Sequence, residues 1–354
     1  MMRDWLRQQR MHTIVRSLRG LGYASLASLL LACSDVPTAL APLHDYQARV
    51  ANTLERKAVD YQSVPVPQLP DVRDLRVEVP RVSVSLLDSW RLDQCAAGQL
   101  IAQRNSALGK LEGGLTRYFN DRQLTQALAE CVENLAASGD AALATRLQNA
   151  YTEKLATLPA SKQLAIATDD ALRHSLRIAA TSHKSADDDA FAAALAALDP
   201  LLAMLTTPTT DATTIDEQQL EQALEHLHQT DYLPRLWRTL HELDAYLVQL
   251  EPLLNNLSTV AGCTSAGRPE RAEVLHTVFL RYFIQQVQPQ LAGFTRQGYE
   301  VNERLQQLAK VTEQAALQDY LQQLQALTQR LNQRARAHVE PWQDFFTVCG
   351  FTPG

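Results

Sequence analysis

Eight leucines, Leu233, Leu236, Leu240, Leu243, Leu247, Leu250, Leu254 and Leu257, succeed one another at alternating spacings of three and four. That rhythm falls on one stripe of a helix with 3.6 residues per turn, whereas a strand would scatter it over both faces. Two shorter ladders follow: Leu291, Phe294, Gly298, Val301, Leu305 and Leu308, then Leu317, Leu321, Leu324, Thr328 and Leu331. An apolar stripe has to be buried. Three on one chain can bury one another, which predicts long antiparallel helices crossing at shallow angles. The same seams could close against a second copy as a coiled coil, but one chain already supplies the partners. Glycine is scarce, 13 in 354 residues, while Ala, Leu and Gln abound. Sheets are therefore disfavoured, and the expected fold class is all-α, an elongated bundle of long antiparallel helices. Pro252 and Pro289 should kink or interrupt their ladders.

Earlier segments carry the same period. A helix ending near Gly109 has Arg104 and Asn105 in its last turn. The next places Leu124, Leu128, Cys131 and Leu135 on one face. Asp140 should cap its successor, which Pro159 should limit. "SADDDAFAAALAALDPLLAML" opens with three aspartates at the positive end of a helix dipole, a solvated start rather than a metal box. "TTPTTDATT", residues 206 to 214, has no apolar period and is the natural place to subdivide a helical domain spanning 85–354. Thr214-Ile215-Asp216-Glu217 then reads as a capping box opening onto Leu220.

Upstream, residues 43 to 57 put Leu43, Tyr46, Val50 and Leu54 on one helical face, to pack on the body or to touch a membrane. Pro65, Pro67, Pro70 and Pro80, with valines alternating from 77 to 84, predict an extended chain laid over the body.

The amino terminus supplies an address. Leu21 to Leu31 is an apolar run of eleven residues, against about 20 for a membrane span. Arg3, Arg7, Arg10, Arg16 and Arg19 precede it with Asp4 as the single acid. This is the pattern of a secretory signal peptide, starting at Met1 or at Met11. Leu30-Leu31-Ala32-Cys33 resembles a lipobox, in which the cysteine thiol receives a diacylglyceryl group and cleavage follows the alanine. The expected organisation is a removed leader over 1–32, a lipidated Pro-rich segment over 33–84, and the helical domain. Ser34 rather than Asp after the cysteine directs the chain, by analogy with enteric bacteria, to the inner leaflet of the outer membrane, facing the periplasm. Its membrane contact would run through the acyl chains.

Loss of the leader removes five arginines and one aspartate, taking the net charge from −6 to −10. So acidic a body makes a poor nucleic-acid binder. The basic cluster Arg330, Arg334 and Arg336 reads as the C-terminal turn of a long helix complementing its dipole. Four further cysteines, Cys95, Cys131, Cys263 and Cys349, suit two disulfides in an exported protein. Three connectivities are open. Cys95–Cys131 with Cys263–Cys349 is preferred because each pair lies within one half of the chain. No CxxC or CxxH spacing supports a zinc site.

Four stretches, "RDLRVEVP", "LDQCAAGQLIAQRNSALGKL", "CTSAGRPERAEVLHTVFLRYFIQQVQPQLA" and "HVEPWQDFFTVCGFTPG", together with the lipobox, resemble a family of proteobacterial lipoproteins known as domain-of-unknown-function family 3080. The resemblance implies the address and the cysteine framework, and brings no activity, cofactor or catalytic residue.

The residues themselves offer little chemistry. Glu225 with His228, and Glu273 with His276, share Glu-x-x-His spacing, which puts carboxylate and imidazole on one helical face. Two such pairs, joined by Glu130, Glu300 or Glu303, could build a di-iron site. Any Glu-rich helical chain produces that spacing readily. "HELDA" has Ala245 where a zinc protease needs its second histidine, and "GCTSAG" lacks the spacing of a nucleophile elbow. Phe279, Tyr282 and Phe283 form an aromatic cluster suited to core packing. The leading expectation is a non-enzymatic, lipid-anchored envelope module without a cofactor, offering a surface to another envelope protein. A carrier with a Leu- and aromatic-lined cavity for a hydrophobic ligand is the alternative. A metalloenzyme on the two Glu-x-x-His pairs is the remote one.

Overall fold

The protein, a computed structural model, is described over residues 36–75, 77–80, 95–211, 215–264 and 267–351. The leader, Cys33, and part of the Pro/Val segment lie outside these residues. Helices account for nearly all regular structure: α1 (Ala41–Thr53), α2 (Ala96–Asn105), α3 (Gly114–Ser138), α4 (Ala141–Thr168), α5 (Asp170–Leu176) and α6 (Asp188–Thr206). There follow α7 (Glu217–Gln229), α8 (Tyr232–Leu250), α9 (Leu257–Ala261), α10 (Glu270–Val278), α11 (Gln288–Val311) and α12 (Ala315–Val348). Among the described residues there is no strand, only an isolated bridge between Thr264 and Gly267.

The three ladders form the centre. α8, α11 and α12 pack pairwise, and every ladder residue is buried. α11 and α12 run antiparallel, with Gly298 so close to Thr328 that a β-carbon would collide with its side chain. Asn302 Nδ2 donates to the Gln325 carbonyl at 3.1 Å. α8 runs parallel to α12, not antiparallel: Asp244 faces Arg330 and Glu251 faces Arg334, both at 3.2 Å. With α11 opposed to its neighbour α12, two of three mutually packed helices must share a direction. Those pairs also correct the reading of the basic cluster. Arg330 and Arg334 sit well inside α12 and bind carboxylates of α8 and of the turn that follows it, rather than complementing a helix end.

Prolines act unequally. At Pro252 the first ladder leaves the α-helix for a 3-10 turn, Glu251–Leu254, so Leu254 and Leu257 belong to later elements. Pro289 does not end its helix. Phe279–Val287 winds as a π-helix, and the Gln288 N–H reaches back to Phe283 O. The wider turn carries the chain past the proline's missing donor, and helix runs continuously from 270 to 311. Pro159 does not limit α4 either. It lies inside a helix of 28 residues whose Leu158, Ser161 and Ala165 are buried, and tertiary burial outweighs a local cost of about 3 kcal/mol. The capping box forms two residues later than expected: Asp216 accepts from Gln219 N at 2.8 Å and Gln219 Oε1 accepts from Asp216 N at 3.1 Å. Glu217 is the first helical residue, so it cannot serve as the box's third position.

The amphipathic face of α1 is spent on the body, since Leu43, Tyr46 and Val50 are fully buried and α1 packs on α10 and the π segment. The Pro-rich stretch lies extended along α8. Gln62 and Gln249 exchange two hydrogen bonds (2.8 and 2.7 Å), Tyr246 donates to Val59 O, and Arg173 donates to Pro70 O. The break after α6 is bound from the other half of the chain. Buried Arg122 of α3 donates to the carbonyls of Met204, Thr207, Pro208 and Asp211 at 2.8–3.3 Å, which satisfies the negative end of α6. α6 is long and apolar enough to cross a membrane, yet Phe191, Leu198, Leu201 and Leu205 are buried in the body.

An aromatic core joins α1, the π segment and α12. Phe279 and Phe283 stack on each other, and Phe283 stacks on His338, with Tyr46 and Trp342 alongside. Tyr282 instead lies under the Arg49 guanidinium. His338 shares a hydrogen bond with Tyr46 Oη at 3.1 Å, and burial pushes its pKa down to about 4 from 6.5. As pH falls below 6.5 the unfolded chain takes up this proton first, so stability is lost progressively down to about pH 4. The loss amounts to about 3 kcal/mol. Buried Asp169 and Glu242, whose carboxyls are raised by desolvation, act in the opposite sense. The difference between wild type and His338→Gln in urea midpoints at pH 7 and pH 4.5 isolates the histidine. The variant should show the flatter profile, and parallel profiles would refute the assignment.

Candidate functional site: a buried ion cluster in a polar cleft

α3 and α4 form a helical hairpin, with α2 packed on α3. The far end of this unit is a small apolar cluster of Ala97, Ile101, Leu128, Leu143 and Leu147 around Cys131. Nearer the body the same two stripes turn ionic. Asp121 lies on the line continued by Leu124, Leu128 and Cys131, and Lys154 lies on the line of Leu147, Leu158 and Ser161. Both therefore point into the hairpin interface. Asp121 is 3 % exposed. Its Oδ1 pairs with Lys154 Nζ at 2.8 Å and Arg104 Nη1 at 3.3 Å, and its Oδ2 accepts from Ser161 Oγ at 3.0 Å. Burial lowers the pKa values of Lys154 and Arg104, and the Asp121 carboxylate counters it.

Above this cluster opens a cleft of about 630 Å³, with Arg117, Glu112, Gly113 and Gly114 on one side and Leu164, Ala165 and Thr168 on the other. Gly114 is held at φ +54°, and a β-carbon there would strike the Asp169 carboxylate. Asp169 closes two helix starts at once, accepting from Leu115 N and from Leu172 N, each at 2.9 Å. Glu112 accepts from Asn120 Nδ2 at 2.8 Å. Among the described residues no imidazole lines the cleft, and Ser161's hydroxyl donates to Asp121, whose carboxylate is itself held in ion pairs with Lys154 and Arg104. The arrangement suits binding. A second opening of about 790 Å³ lies between α11 and α12, floored by Phe283, Leu291 and Ala292 and rimmed by Arg296, Glu300, Arg336 and Glu340.

The Glu-x-x-His residues are not brought together. His228 is exposed beside His174 of α5, and Glu225 accepts from Gln229. His276 stacks on Phe351, and Glu273 pairs with Arg268. Glu130 and Glu303 are exposed, and Glu300 pairs with Arg296. Among the described residues no group of three or more His, Cys, Asp or Glu side chains is placed to hold a metal ion. The cysteines do meet. Cys95 is bonded to Cys131, with Cα atoms 5.7 Å apart, and Cys263 to Cys349, at 5.3 Å.

A family model described as "Protein of unknown function (DUF3080)" matches residues 43–353. No curated protein and no solved structure matches the chain.

Proposed function

The chain belongs to the DUF3080 family across 43–353, and from that premise we propose a lipid-anchored, non-enzymatic envelope protein whose helical body faces the periplasm and engages another envelope component. The observation that carries this reading is the closure of both cysteine pairs as disulfides, a state that persists in oxidising compartments. The lipobox-like Leu30–Cys33 upstream supplies the anchor. Two or three acyl chains hold far better than one, each buried methylene contributing about 0.8 kcal/mol. The ion cluster supports binding over catalysis, since Asp121 is held between Lys154 and Arg104 instead of being left poised as a base.

The test is Cys33→Ser in a Gram-negative host, followed by detergent-phase partition and membrane fractionation. Wild type should enter the detergent phase and sediment with the outer membrane. The variant, with no thiol to receive the diacylglyceryl group, should retain its leader and fail to sediment with the outer membrane. Leader cleavage and outer-membrane sedimentation equal to wild type would refute the anchor.

A further inference from the structure

We propose that the α2–α3–α4 cleft is a binding site for a small molecule bearing an oxoanion head, phosphate or carboxylate, held by Arg104, Arg117 and Lys154. The site is independent of lipidation. Three cations and two carboxylates, Asp121 and Glu112, face one cavity, in a chain whose overall charge is −6. Lys154 and Arg104 share a single carboxylate oxygen. Arg117 makes no ion pair among the described residues, and its charge acts repulsively on both Arg104 and Lys154. Arg104 Nη1 is fully buried and meets Asp121 outside hydrogen-bond geometry, so the N–H groups of that nitrogen are not consumed by the pair.

An excess positive charge held in a low-dielectric recess is costly unless an anion shares the space. The cleft's volume exceeds that of a bare ion and falls in the range of small-molecule sites. Leu164 and Ala165 offer an apolar wall to the remainder of the ligand. Gly113, just before α3, lines the same recess, with no atom within 4 Å of where its side chain would stand.

The experiment titrates the full chain, in detergent and at constant ionic strength, with inorganic phosphate in one arm and succinate in the other, against chloride. Calorimetry and melting temperature are read together. Saturable one-site binding in either arm is expected, and which arm responds identifies the head group. Arg117→Gln should weaken binding by about tenfold without lowering the melting temperature in chloride, because this side chain makes no ion pair among the described residues and its charge repels those of Arg104 and Lys154. Arg117→Lys should fall between the two. Arg296→Gln, at the separate α11–α12 groove, should bind as wild type. Absence of saturable binding in both arms overturns the proposal, as does binding of equal strength in wild type and Arg117→Gln.

Discussion

Cys263→Ala/Cys349→Ala unfolds at a markedly lower urea midpoint than the wild type, with a stability loss of about 4–5 kcal/mol. The bond closes a loop of 86 residues, and the chain-entropy relation for a loop of that length gives about 4.6 kcal/mol. The native side contributes too. Cys349 caps α12, and the chain beyond it is folded back: Arg268 lies over the Phe351 ring and donates to Gly350 O, while His276 stacks on the same ring at 4.3 Å. Without the crosslink those contacts must hold the end of a helix of 34 residues unaided. Total stability of a domain is about 5–15 kcal/mol, so this single bond is a large share of it. Cys95–Cys131 closes 36 residues, worth about 4 kcal/mol on the same relation. It acts on a core too small to persist alone, so its removal should open α2 locally before the bundle melts. Hydrogen exchange across 96–105 would record that. An unfolding free energy for Cys263→Ala/Cys349→Ala within about 1 kcal/mol of wild type would contradict the first expectation.

Asp121→Ala should cost about 3–5 kcal/mol, since it strands the Lys154 ammonium and the Arg104 guanidinium in a recess that already disfavours them. The lost pair is not the whole cost; most of it is the desolvation of the cations left behind. That distinction is testable. Asp121→Ala/Lys154→Met removes the orphaned ammonium and should recover more than half of the loss, giving a coupling of about 1–3 kcal/mol in a double-mutant cycle. Additive losses would mean that the two side chains do not interact. Ser161→Ala removes only a neutral donor and should cost about 1 kcal/mol.

How much of this was legible in the sequence differs by kind of interaction. The three ladders specify α8, α11 and α12 because burial of a helical stripe has a period that can be read residue by residue. Relative direction is not written in that period, and the parallel α8–α12 pair emerges only from Arg330 and Arg334 reaching Asp244 and Glu251. Proline effects at 159 and 289 depend on what surrounds the helix: burial carries α4 through, and a π turn carries α10 into α11. The cleft did leave a trace. Asp121 and Lys154 each interrupt an apolar line, at 121–124–128–131 and 147–154–158–161, and a charge on a buried stripe implies a buried partner. The partner's identity comes from the α3–α4 register, which no local pattern fixes. Glu-x-x-His shows the converse, a local pattern with no tertiary counterpart, since Glu225 and Glu273 are exposed and bound to Gln229 and Arg268.

The most direct test of the whole account is the intact mass of the chain extracted from host membranes, recorded before and after chemical reduction. The account predicts a species beginning at Cys33, heavier than that polypeptide by a diacylglyceryl group and an amide-linked acyl chain, which gains four hydrogens when its two disulfides open. A species that still carries residues 1–32, or whose mass is unchanged by the reductant, would contradict it.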